Sequence, residues 1–345
     1  MSNQNDVEIQ KSAKKRSNGK NRARGCFFWF LLLFVIVTFL GGKFINEKYT
    51  KARKAADSIY SASKQKKTRN VSKLLNAGRP ISILMMGTDT GALGRNFKGR
   101  TDTLIVAVLN PAAKKMTVVS LPRDAEVAVY GHEDAFPSKL NSAYEYGGSL
   151  TAVETVQKYL NVPLDFYATI NMGGLEKLID AVGGIEVDPL LTFSYDGQSF
   201  TKGQKTKMNG KRALAYVRMR YDDPRGDYGR QDRQRQVLTQ VAFKGADLNN
   251  LLNEKFLQTI SKQMVTDLSF NDLVLLGLKY RVATHNMQTD SLNGQSQMIN
   301  GQSFEVPTTS EKQRITDLLR SALELKKAET GNTLTDSTTI DTTQD

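Results

Sequence analysis

The sequence predicts an α/β domain built on a central mixed β-sheet that helices cover on both faces, preceded by one transmembrane helix. Three observations favour this fold class: short runs that are apolar almost throughout, helical patterns between them, and one long apolar run near the amino terminus. Near-continuously apolar strands are typical of a sheet buried between two helical layers. The chain of 345 residues, 39% hydrophobic and 24% charged, has room for one large or two small domains.

The positive charge is concentrated in the amino-terminal arm. Of the net charge of +13, residues 1–25 contribute +5 and residues 43–79 contribute +9, so that residues 80–345 sum to −1. A nucleic-acid-binding domain normally carries its basic excess on the folded part. We therefore expect no nucleic acid partner.

Residues 26–45 are predicted to form the transmembrane helix. The run CFFWFLLLFVIVTFLGG is uninterrupted up to Lys43, and its seventeen residues span about 25 Å as a helix, which a snorkelling lysine extends. Its basic flanks and lack of a polar face argue against a core helix. A cleaved signal peptide is the alternative, but no A-x-A-like site follows promptly. The short amino tail and long following domain favour a type II anchor in the cell membrane, with that domain extracytoplasmic.

The rest of the chain divides by composition. The body contains no cysteine, since Cys26 lies in the apolar run, so disulfides, a thiolate nucleophile and cysteine metal clusters are not expected there. The predicted segments are a basic cytoplasmic tail (1–25), a juxtamembrane stalk (46–79), a folded domain (80–325) and a disordered Thr/Asp-rich tail (328–345).

The elements of the folded domain are predicted in order from their patterns. Apolar runs bounded by glycine, proline or polar turns indicate strands, and the link NPAAKK makes the second and third strands an antiparallel pair. The predicted strands are 81–87, 104–109, 116–121, 166–170 and 184–187, and the predicted helices are 149–161 and 173–182.

Matched polar side chains follow or precede the first three strands. Asp89 follows the first, Arg100 and Asp102 lead into the second, and Arg123 and Asp124 follow the third. Two carboxylates and two arginines from neighbouring strand ends could share one Mg²⁺ and one phosphate group. Each acid alone is also compatible with a turn or cap. Neither form of glycine-rich phosphate loop is present.

The other half of this site is predicted from the run RMRYDDPRGDYGRQDRQRQ, residues 218–236, which holds six arginines and no lysine. The planar guanidinium binds phosphate oxygens in pairs. A helix capped by Asn209 places Arg218 and Arg220 on one face if the chain extends there, and a helix from near Gly229 places Arg230 and Gln234 one turn apart. The alternative is a surface network with the neighbouring aspartates, which we expect for Arg225, Arg233 and Arg235.

These residues lie in a succession of motifs that resembles the LytR-CpsA-Psr family of Gram-positive cell-envelope proteins. The motifs are GTD, GRTDTL, VSLPRD, KLNSAYEYGG, NVPLDFY, DAVGGIEV, MNGKRALAYVRMR and GDYGRQDRQRQ, and they cover most of residues 80–240. The resemblance implies a Mg²⁺-dependent phosphotransferase that moves a glycopolymer, such as teichoic acid or capsular polysaccharide, from a polyprenyl pyrophosphate carrier to peptidoglycan.

The resemblance also implies roles for individual residues. Asp89 and Asp102 match the metal ligands, and Asp227 matches a supporting acid. We expect Arg123, Arg218 and Asp89 to act in catalysis, with Asp89 as the candidate base. The implied pyrophosphate-binding set is Arg100, Arg123, Arg218, Arg220, Arg230 and Gln234.

Two other functions stay open on the sequence. A polyprenyl-pyrophosphate pyrophosphatase or hydrolase would use the same site with water as acceptor. A membrane-bound transcriptional regulator would need a DNA-binding element, but the amino-terminal tail has no helix-turn-helix pattern. His132 and His285 stand alone in the sequence, which argues against a histidine-metal hydrolase.

Overall fold

A computed structural model of the chain describes residues 43, 46–54, 57, 60–61, 67–88, 99–245, 247–251 and 253–331. These residues fall into two compact units, which divide between Lys51 and Ala52. In the first unit, residues 46–51 are helical, and Glu47 and Lys51 form an exposed ion pair of 2.9 Å.

The predicted transmembrane segment, residues 26–45, lies outside the described residues except for Lys43, and so does the predicted basic tail, residues 1–25. Across the described part of the chain, no helix is both long enough and apolar enough to cross a membrane. The anchor and its orientation stay predictions.

The strands are β1 (Ile81–Thr88), β2 (Thr101–Asn110), β3 (Lys115–Leu121), β4 (Glu126–Val127), β5 (Ser138–Lys139), β6 (Phe166–Asn171), β7 (Ile185–Val187), β8 (Phe193–Tyr195), β9 (Gln198–Phe200), β10 (Thr206–Met208), β11 (Met264–Thr266), β12 (Asn286–Ser291), β13 (Gln295–Ile299) and β14 (Gln302–Val306). Beyond residue 67, the α-helices are α1 (Val71–Ala77), α2 (Ser142–Leu160), α3 (Leu175–Ala181), α4 (Gly210–Arg218), α5 (Asp227–Gly245), α6 (Leu248–Leu251), α7 (Glu254–Ser261), α8 (Phe270–Leu275) and α9 (Thr309–Ala322).

Six strands form the central sheet in the order β11-β6-β1-β2-β3-β12. β1 and β6 are parallel, as are β3 and β12, while the other neighbours are antiparallel. The predicted antiparallel pairing across NPAAKK is confirmed, with Leu104 opposite Leu121. The sheet is therefore mixed, and the ends of β1, β3, β6 and β12 lie at one edge with the start of β2.

Side chains of the central strands point alternately into two cores, because successive residues of a strand face opposite sides of a sheet. Met85 and Ile105 belong to one core, which α3, α4, α5 and α7 cover. Leu84 and Val106 belong to the other, which α2 and α9 cover. The predicted α/β class, with helices on both faces of a mixed sheet, is confirmed.

Helix α2 begins earlier than the sequence pattern indicates. The predicted helix spans 149–161, whereas α2 spans Ser142–Leu160 and is kinked at Gly148, whose φ is 75°. The glycine pair Gly147–Gly148 interrupts the helical pattern, so the first turn of the helix cannot be seen in the sequence.

The predicted strand 184–187 does not join the central sheet. It appears as β7, which pairs with β10 in a separate two-stranded sheet, with Ile185 opposite Met208. Both strands lie beside α3 and α4, and their side chains Ile185, Val187 and Met208 are buried in the first core. The carboxyl-terminal part of the body, which has no recognisable motif, supplies β11 and β12 and the covering helix α9.

Residues 67–79, which the sequence assigns to the stalk, pack against the folded body. Arg69 forms a buried ion pair with Asp165, whose carboxylate also accepts a hydrogen bond of 2.8 Å from the amide of Ser82. In α1, Leu75 is fully buried. This part of the predicted stalk therefore belongs to the domain.

The described start of the predicted tail also contacts the body. The carbonyl of Ala328 accepts a hydrogen bond of 2.9 Å from Gln313, and that of Glu329 accepts one of 2.8 Å from Asn161. Residues 332–345 lie outside the described part of the chain.

Candidate active site

The ends of β1 and β3 and the start of β2 meet at one edge of the sheet. Thr88, the last residue of β1, lies opposite Thr101, the first of β2, and the end of β3 lies opposite Leu104. This register brings Asp102, on β2, next to Arg123, two residues beyond β3. The strand pairing itself therefore places one carboxylate beside one guanidinium.

Arg123 lies among three carboxylates. Its Nη1 donates a hydrogen bond of 2.7 Å to Asp102, while its Nε lies 3.4 Å from Asp124 and 3.9 Å from Asp227. Burial lowers the pKa of Arg123, but the charges of Asp227, Asp124 and Asp102 outweigh it and hold that pKa above the ordinary value. The guanidinium is thus fixed and fully cationic.

The first turn of α5 supplies the next part of the site. Arg230 Nε donates to Asp227 Oδ1 at 2.8 Å, and Gln231 donates to Asp227 Oδ2 at 2.9 Å, as residues three and four apart on a helix can. Burial raises the pKa of Asp227, but Arg230, Gln231 and Arg123 together lower it below its ordinary value. Asp227 is therefore an anion that bridges the two arginines.

Arg230 is almost completely buried, with 3% of its surface exposed. Burial lowers its pKa; Asp227 opposes this, and the nearby charges of Arg123 and Arg220 lower it further. Three arginines from three segments are thus close enough for their charges to act on one another. The charges of Asp102, Asp124 and Asp227 balance those of the three arginines, so what the cluster offers an anion is a group of closely spaced guanidinium donors.

Two guanidinium nitrogens in this cluster, Nε of Arg123 and Nη2 of Arg230, are buried and make no well-aligned hydrogen bond with a described residue. Each lies within ion-pair distance of Asp227, and Nε of Arg123 also lies 3.4 Å from Asp124. Oxygens of a phosphate or pyrophosphate are acceptors suited to both nitrogens.

Gln234 fixes α5 to the sheet beside this cluster. Thr103, the residue after Asp102, donates a hydrogen bond of 2.7 Å from Oγ1 to Gln234 Oε1. Gln234 and Arg230 lie one turn apart and are both buried. The two side chains share the face of α5 that points to β2.

Arg218 and Arg220 lie at the exposed rim. Arg218 ends α4, and the chain then extends so that Met219 is buried between the two exposed arginines. Arg220 acts electrostatically on Arg230, whereas no hydrogen bond or ion pair joins Arg218 to another described residue. No contact with a described residue holds either guanidinium group in one orientation.

Two predicted site residues are not part of the observed cluster. Arg100 is exposed and forms an ion pair of 2.6 Å with Glu145 of α2, and no described contact joins it to Arg123. Asp89 lies outside the described residues. Their predicted roles stay predictions.

The predicted pairing of the remaining arginines with neighbouring aspartates is confirmed, but two of the three are not on the surface. Arg233 is fully buried; it pairs with the buried Asp223 and donates 3.1 Å to the carbonyl of Tyr216. Arg235 is 8% exposed and donates 2.9 Å to Ser120 on β3. Because both lie on inward faces of α5, they hold this helix against α4 and the sheet. Arg225 is exposed, as expected.

Sequence reasoning missed the partners of the site residues. Lys139 lies 3.2 Å from Asp124, and Glu145 holds Arg100. Both come from KLNSAYEYGG, a motif for which the sequence suggests no chemistry. No signal in the single sequence pairs this motif with VSLPRD.

The donor chemistry at Asp102 fits a hard cation. Its Oδ1 accepts from Arg123, no described residue forms an ion pair or hydrogen bond with its Oδ2, and the side chain is one-third exposed. Carboxylate oxygens are preferred ligands of Mg²⁺. Among the described residues, however, no group of three or more His, Cys, Asp or Glu is arranged to hold a metal ion. A cation here would need further oxygens from a ligand or from elsewhere in the chain.

The fold and this cluster define an α/β protein with a group of arginines at the strand ends that carboxylates hold in place. The LytR_cpsA_psr family model matches residues 44–321, and the chain belongs to that family. The resemblance seen in the motifs is thereby confirmed.

Its relatives include proteins named polyisoprenyl-teichoic acid–peptidoglycan teichoic acid transferase TagU. The one from Enterococcus faecalis is 42% identical over 311 residues, which are 90% of this chain and 100% of the relative. The one from Bacillus subtilis is 35% identical over 300 residues, 85% of this chain and 96% of the relative. The crystal structure of B. subtilis TagU matches with a TM-score of 0.60 at 35% identity, covering 72% of this chain and 98% of that one.

Proposed function

We propose that this protein is a phosphotransferase that moves a glycopolymer from a polyprenyl pyrophosphate carrier to peptidoglycan and forms a phosphodiester link. The relatives' names support the polymer class and the acceptor. The observation that carries the proposal is the position of Arg123 and Arg230 on either side of Asp227, each with a buried guanidinium nitrogen that makes no well-aligned hydrogen bond with a described residue. This arrangement suits a diphosphate, which presents many acceptor oxygens.

The arginines would act both in binding and in catalysis. In the proposed complex, Arg123 and Arg230 bind pyrophosphate oxygens, while Arg218 and Arg220 approach from the rim and Arg100 exchanges Glu145 for phosphate. Gln234 positions α5. Charge-assisted hydrogen bonds contribute about 1.5–3 kcal/mol each, and they strengthen as charge develops on the leaving phosphate.

The carboxylates around Arg123 keep it oriented before the substrate arrives. Asp102 and Asp227 hold the guanidinium from two sides, so little reorganisation is needed on binding. They also compete with phosphate for the same nitrogens. This competition prevents the site from holding the released carrier phosphate too tightly.

We propose Mg²⁺ as cofactor, with Asp102 and Asp89 as its protein ligands. Bound there, Mg²⁺ would neutralise charge on the pyrophosphate oxygens. The available oxygen of Asp102 and the chemistry of its carboxylate support this assignment.

In the proposed reaction, an acceptor hydroxyl of peptidoglycan attacks the phosphorus that bears the glycan. The new P–O bond forms as the bond to the carrier's phosphate breaks, and polyprenyl phosphate leaves with the bonding electrons. The hydroxyl proton passes to a carboxylate, for which we propose Asp89. The products are the glycan-peptidoglycan phosphodiester and the lipid monophosphate.

The proposed setting is the outer face of the cell membrane. The apolar run 26–45 and its basic flanks support a type II anchor. Both proposed substrates would be reached on that side.

The test is to incubate the purified full-length chain with Mg²⁺, a polyprenyl-pyrophosphate-linked glycan and peptidoglycan oligomers, comparing wild type with Arg218→Ala and Asp102→Ala. We expect a glycan-peptidoglycan conjugate from the wild type and strongly reduced yield from both variants. Release of free glycan phosphate without any conjugate would show that the protein is a hydrolase and not a transferase. Full activity in both variants would refute the site assignment.

The proposed orientation has its own test. Protease added to intact protoplasts should remove the body, and full protection would refute the external location.

A further inference from the structure

A concentration of positive charge lies beside α3, α4 and the β7–β10 pair. It is a cleft of about 650 Å³ whose lining includes four cationic residues and two acidic ones. These are Lys207, Lys211, Arg212, Lys244, Asp180 and Glu186. The cleft therefore carries a net charge of about +2, whereas residues 80–345 as a whole sum to −1.

Two of the cations are held in place by the wall of the cleft. Lys244 donates a hydrogen bond of 2.8 Å to the carbonyl of Gly184, and Arg212 donates one of 2.9 Å to the carbonyl of Ser199. Arg212 Nε is buried and has no acceptor among the described residues. Their positions are thus fixed before any ligand binds, but one donor remains unused.

No structural role is evident for the other two cationic side chains among the described residues. Lys207 and Lys211 are exposed, and neither makes a hydrogen bond or ion pair with another described residue. Glu186 lies directly across the β7–β10 pair from Lys207, yet the two form no ion pair. Structural roles do explain Asp180, which accepts a hydrogen bond of 2.8 Å from the amide of Gly210.

The cleft is built from motifs that the proposed reaction does not use. DAVGGIEV supplies Asp180 and Glu186, and the start of MNGKRALAYVRMR supplies Lys211 and Arg212. The proposed reaction uses only the end of the second motif, at Arg218 and Arg220. A single helix, α4, thus connects the cleft to the candidate active site.

Lys211 and Arg218 mark the two ends of that connection. They are seven residues apart on α4, which is close to two full turns, so they lie on nearly the same face, roughly 10 Å apart along the axis. Both side chains are exposed. An anionic chain bound at Arg218 could therefore extend along α4 to the cleft.

We propose that this cleft is a subsite for a backbone phosphodiester of the glycopolymer that is being transferred. The inference rests on the proposed function and adds to it a binding site for phosphates of the polymer itself, away from the site proposed for the pyrophosphate. The concave shape favours a phosphate on a narrow chain over a flat array of lipid headgroups, which a basic surface would contact on one plane. Lys207 and Lys211 would bind the phosphate oxygens, with Arg212 and Lys244 behind them.

The binding test uses the purified full-length chain and a short, defined oligomer of glycerol phosphate. We expect Lys207→Ala/Lys211→Ala to weaken its Kd about tenfold, equivalent to about 1.4 kcal/mol. Lys205→Ala is the matched control, because Lys205 is an exposed lysine two residues from Lys207 that does not line the cleft. It should leave the Kd unchanged, and an unchanged Kd in the double variant would overturn the proposal.

A second arm separates polymer phosphate from lipid phosphate. Phosphatidylglycerol and phosphatidylcholine vesicles are mixed with the same variants. If the double variant loses binding to the anionic vesicles but keeps its affinity for the oligomer, the cleft is a membrane contact and the proposal is overturned. If only oligomer binding weakens, the polymer subsite is supported.

A kinetic arm distinguishes failure of the subsite from failure of the proposed function. For a phosphate-rich donor, we expect the KM of the double variant to be about tenfold that of the wild type at the same kcat. For a donor with an uncharged glycan, we expect the KM of the two proteins to be the same. Equal KM values for the phosphate-rich donor in wild type and variant would overturn the subsite while leaving the transferase intact. If the wild type turns over neither donor, the proposed transferase activity is refuted. The Kd for the oligomer then still tests whether the cleft binds phosphodiesters.

Discussion

Asp102 on β2 accepts a hydrogen bond of 2.7 Å from Nη1 of Arg123, which lies two residues beyond β3. The antiparallel register of the two strands fixes this pair, because Leu104 lies opposite Leu121 at the same edge of the sheet. Arg123 is thereby oriented by the fold itself. Nε of Arg123 faces Asp124 and Asp227, so an anion that binds this nitrogen would have to approach it beside these two carboxylates.

Replacing Arg123 by lysine should remove most of the proposed transfer activity. Lysine keeps the charge but cannot present two nitrogens in a fixed plane. We expect the rate of conjugate formation to fall roughly 100- to 1,000-fold, the range typical of losing one transition-state donor. Arg225→Lys is the matched control, since Arg225 is an exposed arginine paired with Asp232 outside the cluster. If Arg123→Lys retains wild-type activity, the planar pair of guanidinium nitrogens is not required for transfer.

Separating the buried pair Arg233–Asp223 should destabilise the fold. Both side chains are almost fully withdrawn from solvent, and removing one partner of a buried pair costs about 3–5 kcal/mol, because the other charge is left uncompensated. We expect this loss in the free energy of unfolding of Asp223→Ala, measured by urea denaturation. Lys205→Ala, which removes an exposed charge, should cost less than about 0.5 kcal/mol. Equal losses in the two variants would contradict the assignment of a structural role to the pair.

The same pair should make stability depend on acid pH. Burial raises the pKa of Asp223, but the Arg225 amide and the Arg233 guanidinium outweigh it and lower that pKa below its ordinary value of 3.8. A lowered folded-state pKa means that the carboxylate stabilises the fold above its unfolded-state pKa and that this contribution is lost as the pH falls through the folded-state value.

The difference in unfolding free energy between wild type and Asp223→Asn should therefore be constant near neutral pH and should shrink as the pH drops below about 3.8. Urea denaturation of both proteins across this range measures it. A difference that grows on acidification would show that the sign of the pKa shift is wrong.

The central strands could be predicted from the sequence because their signal is local. Runs such as ISILMMG are apolar on both faces, and the described strand, Ile81–Thr88, extends the prediction by one residue. The outer strands β11 and β12 could not be predicted in this way. They have mixed burial patterns, and their place in the sheet depends on pairing with β6 and β3, far away in the sequence.

The arginine-rich run illustrates the same limit within the candidate site. The spacing of Arg230 and Gln234 predicts a shared helix face, and both side chains are buried on α5. Sequence spacing could not show that Arg233 is buried as well, because its burial depends on Asp223 and on the carbonyls at the end of α4. A charged side chain can be buried where an oppositely charged group or a hydrogen-bond acceptor lies beside it. That partner can be identified only from the three-dimensional structure.

Gly229→Ala should destabilise the protein although alanine favours helices. Gly229 lies in the first turns of α5, where replacing glycine by alanine normally stabilises a helix by about 1 kcal/mol. Here, however, an added Cβ would overlap the carboxylate of Asp223 and push it away from Arg233. We expect a net loss of about 2–4 kcal/mol, because overpacking and a disturbed buried ion pair both contribute.

The matched control is Gly245→Ala at the other end of the same helix. There an added Cβ would meet only Phe256, at an ordinary contact distance of 3.6 Å. Its free energy of unfolding should stay within about 0.5 kcal/mol of wild type or increase. If Gly229→Ala were as stable as Gly245→Ala, α5 could shift without loss, and Asp223 would not be the reason that glycine occupies position 229.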